Sequence, residues 1–198
     1  MGLSPRCGVR AWLACCVCLF CQPACADHEV ATDPPPQRVS RHAAGWPIGA
    51  FALSDHLGKP FTQDRLRERW TFILLGDTHC AEACSSALSA LSGLLRRIAT
   101  TDAVRTTQIV FVSLDPERDS AQRLQQYLAA YDPRFVAATG PRAALAQLVD
   151  DIGGSEAEKT YRGSLVLVGP DGAIRAEYLP PFDTKRLTAE FLKARARG

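Results

Sequence analysis

Three things are scarce in this chain of 198 residues: histidine beyond its first half, cysteine beyond its first 26 positions, and any excess of charge of one sign. Lysine and arginine number 23 against 21 aspartates and glutamates. Arg6 and Arg10 lie in a leader expected to be removed, which leaves 21 basic against 21 acidic residues. That balance provides no electrostatic footprint for nucleic acid or for an anionic membrane surface. Only four histidines occur and His79 is the last of them, while only Cys80 and Cys84 follow Cys25. Two cysteines cannot make the four-ligand shell that structural zinc requires. The longest apolar run, Ala11 to Cys21, is shorter than the roughly 20 residues that cross a bilayer. No internal repeat and no compositional extreme is present, so one domain with an ordinary core is expected.

What is present begins with an export signal. Arg6 and Arg10 precede the run from Ala11 to Cys21, and Ala24-Cys25-Ala26 supplies small residues before Asp27. Residues 1–26 are therefore read as a signal peptide, with an uncleaved anchor as the alternative, and the mature chain is expected in the periplasm. Membrane contact is expected only through such an anchor. Residues 27–45 carry Pro34-Pro35-Pro36 and read as a proline-rich linker. Residues 46–198 are expected to form the folded domain.

Within that domain, Phe51 to Thr62 reads as two short strands around a turn, and Trp70 to Leu75 as a continuously apolar buried strand. Leu88, Leu91, Leu94, Leu95 and Ile98 fall at helical spacing over 84–98. A second buried strand is expected over Gln108 to Leu114, a helix capped by Ser120, a short strand at Phe135 to Ala137, and a helix opened by Pro141. Ser164 to Val168 and Ala173 to Tyr178 flank the turn Gly169-Pro170-Asp171-Gly172, and a last helix spans Thr184 to about Arg195. This order predicts an α/β, thioredoxin-like fold with a central mixed sheet flanked by helices.

Gly76-Asp77-Thr78-His79-Cys80-Ala81-Glu82-Ala83-Cys84 leads from a strand end into a helix start. Backbone N–H groups at a helix N-terminus favour a thiolate there, which makes Cys80 the expected nucleophile or first metal ligand. Four residues further on, Cys84 returns to the same helix face. The pair reads as one structural disulfide, a redox couple or a soft-metal site suited to Cu(I). His79, beside Cys80, is expected to point elsewhere, and Asp77 to be a solvated carboxylate at the strand end. Asp115, Glu117, Arg118 and Asp119 either orient the cysteine loop through an Arg118 to carboxylate pair or serve as a turn and helix start.

Thr78-His79-Cys80-Ala81-Glu82-Ala83-Cys84, Val112 to Asp119, Tyr131-Asp132-Pro133-Arg134-Phe135 and Gly169 to Gly172 together resemble the Sco/SenC family over about Trp46 to Phe191. The resemblance implies a thioredoxin-fold factor that builds the copper centre of a respiratory oxidase, delivering copper or keeping recipient cysteines reduced. It implies Cys80 and Cys84 as both the redox pair and the copper ligands, and the oxidase's copper-centre subunit, or another periplasmic thiol protein, as partner. The family's third ligand, a histidine before the last hairpin, has no counterpart: counting back from Gly172 places Thr160-Tyr161-Arg162 there. Ala81 and Ser85 stand where the family commonly has prolines, and Asp77 where it often has an aromatic residue. The alternative implied is a general thiol-disulfide oxidoreductase without normal copper binding.

Overall fold

The computed structural model describes residues 39–80, 82–153 and 163–197, all within a compact unit running from Pro34 to Gly198. The expected leader lies outside the described residues, as does all of the expected linker before Val39. Eight strands, β1 (Val39–Pro47), β2 (Ala52–Asp55), β3 (Pro60–Thr62), β4 (Trp70–Gly76), β5 (Thr107–Ser113), β6 (Val136–Thr139), β7 (Leu165–Val168) and β8 (Ala173–Tyr178), form one sheet. Their order across it is β1-β8-β7-β4-β5-β6-β2-β3. Four α-helices accompany them among the described residues: α1 (Glu82–Arg97), α2 (Ala121–Ala129), α3 (Arg142–Gly153) and α4 (Thr184–Arg195).

β4 pairs in parallel with β5 and antiparallel with β7, so it occupies the middle of a mixed sheet. All seven of its residues are buried. Its uninterrupted apolar run follows from covering on both faces, which removes any polar alternation. Phe72 and Leu74 join one core cluster with Leu88, Leu91, Leu124 and Phe191, contributed by α1, α2 and α4. Ile73 and Leu75 join the other with Leu145, Leu148 and Ile152 of α3. The period-2 alternation of a strand thus sends successive side chains into two separate cores. Ser120 and Asp183 fix the starts of α2 and α4 by accepting the N–H groups of Arg123 and Arg186, at 3.2 and 2.8 Å.

Strand pairing reaches further toward the N-terminus than the sequence pattern suggests. β1 begins inside the stretch read as a linker and pairs with β8 from Val39↔Tyr178 to Pro47↔Ala173, with a register shift between Arg41 and Trp46. That irregularity, and the edge position of the strand, remove the regular alternation by which a strand is recognised.

Candidate functional site

The site lies where β4 and β5 end side by side. Gly76 closes β4 because nothing larger fits: a Cβ built there would stand 2.5 Å from the Cys84 sulfur and 3.2 Å from the Phe111 ring. The chain then turns sharply. The Asp77 carboxylate accepts the His79 N–H at 2.8 Å, and the Asp77 carbonyl accepts the Cys80 N–H at 3.1 Å. This is the side-chain-assisted turn that aspartate favours. Asp77 is 1% exposed, which corrects the expectation of a solvated carboxylate. Its position at a strand end suggested solvent, but its oxygen is needed inside the turn.

Asp119, also 1% exposed, ties this turn to the loop after β5. One of its oxygens accepts the Thr78 hydroxyl at 2.6 Å; the other accepts the Thr78 N–H at 2.9 Å and the Ser113 hydroxyl at 2.6 Å. The Ser113 hydroxyl oxygen in turn accepts the Asp115 N–H at 3.1 Å, and Leu114 N–H donates to the Gly76 carbonyl at 2.8 Å. A buried carboxylate with three donors converging on it is a satisfied polar group, and such groups hold loops in one arrangement. The loop is therefore oriented by Asp119, whereas Arg118 is bound to Asp115 within its own turn. That guanidinium holds the Asp115 carboxyl below the usual carboxylate range, chiefly through its hydrogen bond.

Cys80 lies two residues before α1 and Cys84 in its first turn, and the two form a disulfide with Cα atoms 5.6 Å apart. Their surroundings differ. Cys84 is wholly buried in the core cluster below α1, while Cys80 is partly exposed and packs against the rim of that cluster. An attacking thiolate from outside can reach only the Cys80 sulfur. After reduction, Cys80 is the thiol positioned before the N-terminal end of the helix, where backbone N–H groups favour the thiolate.

Tyr127 and Tyr131 pack beside Phe111, with their ring centroids 5.6 Å apart and the Tyr127 ring tilted against that of Phe111 at 5.5 Å. Burial raises the Tyr127 phenol first, and Tyr131 with the Asp77 and Asp119 carboxylates raise it further, so it stays neutral and can only share a proton. His79 is exposed, its ring Nδ1 3.5 Å from the Thr78 hydroxyl. His56 accepts the Ala137 N–H on Nδ1 at 3.0 Å and so helps fasten the β2 turn to β6.

Gly163, at φ +88°, closes the site from the β7 side. A Cβ there would stand 2.6 Å from that of Ala83, and its N–H reaches the Leu75 carbonyl at 3.4 Å. Thr160-Tyr161-Arg162, the sequence counterpart of the family's histidine stretch, lies outside the described residues.

Among the described residues no three or more of histidine, cysteine, aspartate and glutamate stand together as a metal site. The donor set is two thiols, available once the disulfide opens. Two soft thiolates suit two-coordinate Cu(I) and fit poorly to harder or higher-coordinate ions. Sequence reasoning named the two cysteines but missed Gly76 and Ser113, and it left Asp119 undecided. The Asp-Pro-Glu-Arg-Asp run held that signal, but sequence could not tell which of its acids is buried.

The family model described as SCO1/SenC matches residues 42–194. A candidate copper-binding protein of Stutzerimonas stutzeri is 32% identical over 143 residues, covering 68% of this chain and 70% of that protein. A mitochondrial SCO2 homolog of Mus musculus is 33% identical over 92 residues, which span 46% of this chain and 36% of the mouse protein. In three dimensions the chain resembles the apo Sco1 protein of Thermus thermophilus with a TM-score of 0.67 at 25% identity, covering 78% of this chain and 94% of that one.

Proposed function

The chain belongs to the SCO1/SenC family, and on that premise we propose that it is an exported, periplasmic assembly factor for the copper centre of a respiratory oxidase, acting through Cys80 and Cys84. Of the two tasks such a factor can perform, the geometry favours reduction of the recipient's cysteines, with Cu(I) as a cargo held by two thiolates. The observation that carries this reading is the asymmetric pair: one reachable sulfur bonded to one buried sulfur.

The exchange balances with the residues present. With both thiols reduced, the Cys80 thiolate attacks one sulfur of the recipient's disulfide. A mixed disulfide forms and the recipient's second sulfur leaves as a thiolate. Cys84, losing its proton, then attacks the Cys80 sulfur, closing the Cys80–Cys84 bond and releasing the recipient's other thiolate. Two electrons pass from the pair to the recipient, and two recipient thiols result after proton uptake. Resetting the pair needs a thiol reductant in the same compartment. As a cargo, Cu(I) would be bound by the same two thiolates and surrendered to the recipient once its cysteines are reduced.

Replacing Cys84 by Ser tests the order of events. It is expected to trap a mixed disulfide between Cys80 and the recipient subunit, while Cys80→Ser traps none. Deletion of the protein is expected to lower oxidase activity, with partial rescue by added copper. A general shift in periplasmic thiol state with normal oxidase would instead establish the broader oxidoreductase reading, which the two-donor site favours. Competitive Cu(I) titration of the reduced protein completes the test: Tyr161→His is expected to tighten binding, and unchanged affinity would remove Tyr161 from the copper question.

A further inference from the structure

A second site lies at the other end of the sheet. An open groove of 340 Å³ is lined by four arginines, Arg65, Arg69, Arg105 and Arg134, over a floor that includes Ile109 and Val136. Arg69 immediately precedes β4, which carries the cysteine turn at its far end, so the groove is roughly 20 Å or more from the thiols along the strand. It takes no part in the chemistry described above.

The four guanidinium groups are of two kinds. Arg134 is held by its own turn, donating to the two Asp132 oxygens at 2.8 and 2.6 Å. Arg65 is fixed over the Phe61 ring at 5.6 Å, 3.4 Å from the Pro60 carbonyl and 3.5 Å from Asp55. Arg69 and Arg105, by contrast, make no hydrogen bond or ion pair among the described residues. Among the described residues no aspartate or glutamate lines the groove. Gln108 steadies its floor, its amide donating to the Arg65 carbonyl at 2.7 Å and to the Thr71 hydroxyl at 2.8 Å.

Arg65 and Arg134 are held at the groove by Asp55 and Asp132, but no described side chain holds Arg69 and Arg105 beside them, where like charges around one concavity repel. Guanidinium presents a planar fork that matches carboxylate and phosphate oxygens two at a time. We infer that this groove binds a small, multiply charged oxyanion, a compound bearing two or more phosphate or carboxylate groups. Arg65 and Arg134 form its fixed walls, and Arg69 and Arg105 close on the ligand. Among the described residues the groove is lined by no aromatic ring on which a base could stack, so the recognition is of charge and oxygen geometry.

Titration calorimetry of the full chain in phosphate-free buffer, with pyrophosphate and citrate as separate probes, tests the site. One probe or both are expected to bind saturably at one per chain, more weakly as salt rises. Binding by pyrophosphate alone assigns the phosphate class, and by citrate alone the carboxylate class. The double variant Arg69→Gln with Arg105→Gln is expected to weaken binding about tenfold or more, with an unchanged urea midpoint because neither side chain bonds to the fold. Arg123→Gln, on the exposed side of α2, and Cys80→Ser with Cys84→Ser are expected to bind as the wild type does. Absence of saturable binding by both probes overturns the inference, and so does wild-type affinity in the double variant.

Discussion

Replacing Asp119 by Ala removes three hydrogen bonds from a carboxylate that is 1% exposed. Bonds to a charged acceptor contribute about 1.5–3 kcal/mol each, but two of the three end on Thr78, which is only half-buried and can turn to water. Only the Ser113 hydroxyl is left fully buried without its acceptor. The expected loss is therefore about 3 kcal/mol, well below the additive ceiling. In a domain of this size that lowers the melting midpoint by roughly 6–12 °C. Asp119→Asn keeps the shape and one acceptor while turning an NH2 toward donors, and should fall between, at about 1–2 kcal/mol. The assay is urea unfolding of the oxidised protein, read alongside the Cys80–Cys84 equilibrium in glutathione buffers. Because Asp119 holds the turn that sets Cys80, that equilibrium should move by about threefold or more. A variant within about 0.5 kcal/mol of wild type refutes the clamp. A destabilised variant with an unmoved thiol equilibrium refutes its role at the site.

Gly76→Ala forces a methyl against the Cys84 sulfur and the Phe111 ring, costing about 1–3 kcal/mol and slowing closure of the disulfide, measurable by thermal unfolding and by rate of oxidation. In the reduced protein, iodoacetamide should modify Cys80 well before Cys84, because only Cys80 is accessible; peptide mapping showing equal or reversed order contradicts the assignment of Cys80 as the attacking thiol. Arg134 holds the Asp132 carboxyl below its ordinary range through their hydrogen bond, so its folded value is depressed relative to the unfolded chain. That contribution to stability is complete above about pH 4 and is lost as pH falls through the lower folded value. Asp132→Asn should accordingly flatten the acid limb of the stability curve, and an unchanged limb would show the pair to be without weight.

The elements that sequence made legible are those with a strong period. β4 was plain from Trp70 to Leu75 because both its faces are covered, and α1 from its leucines, although the helix starts at Glu82, two residues ahead of Cys84. Ser120 was readable as a cap, and Ala173 to Tyr178 as the second arm of a hairpin, for reasons local to each. β1 was hidden because an edge strand with a shifted register shows no alternation. At the site, the cysteines could be named from their spacing, but not which sulfur faces out. That depends on α1 packing against Phe111 and the end of β4, contacts between segments far apart in the chain. Asp119 was left undecided because its burial is set by donors elsewhere in the chain, Thr78 and Ser113 at 41 and 6 residues' distance, and Asp77 was misjudged because its carboxylate folds back into its own turn onto the His79 N–H.

The contact between Gly163 and Ala83 also bears on how such a protein can change. The chain re-enters the sheet at β7 by passing directly over the first turn of the cysteine helix, and only a residue without a side chain clears that crossing. The start of β7 is therefore held beside the thiols by an approach that any side chain at position 163 would prevent. A change at this one position, with no loss of any charged or hydrogen-bonding side chain, would push the strand away from the cysteine helix.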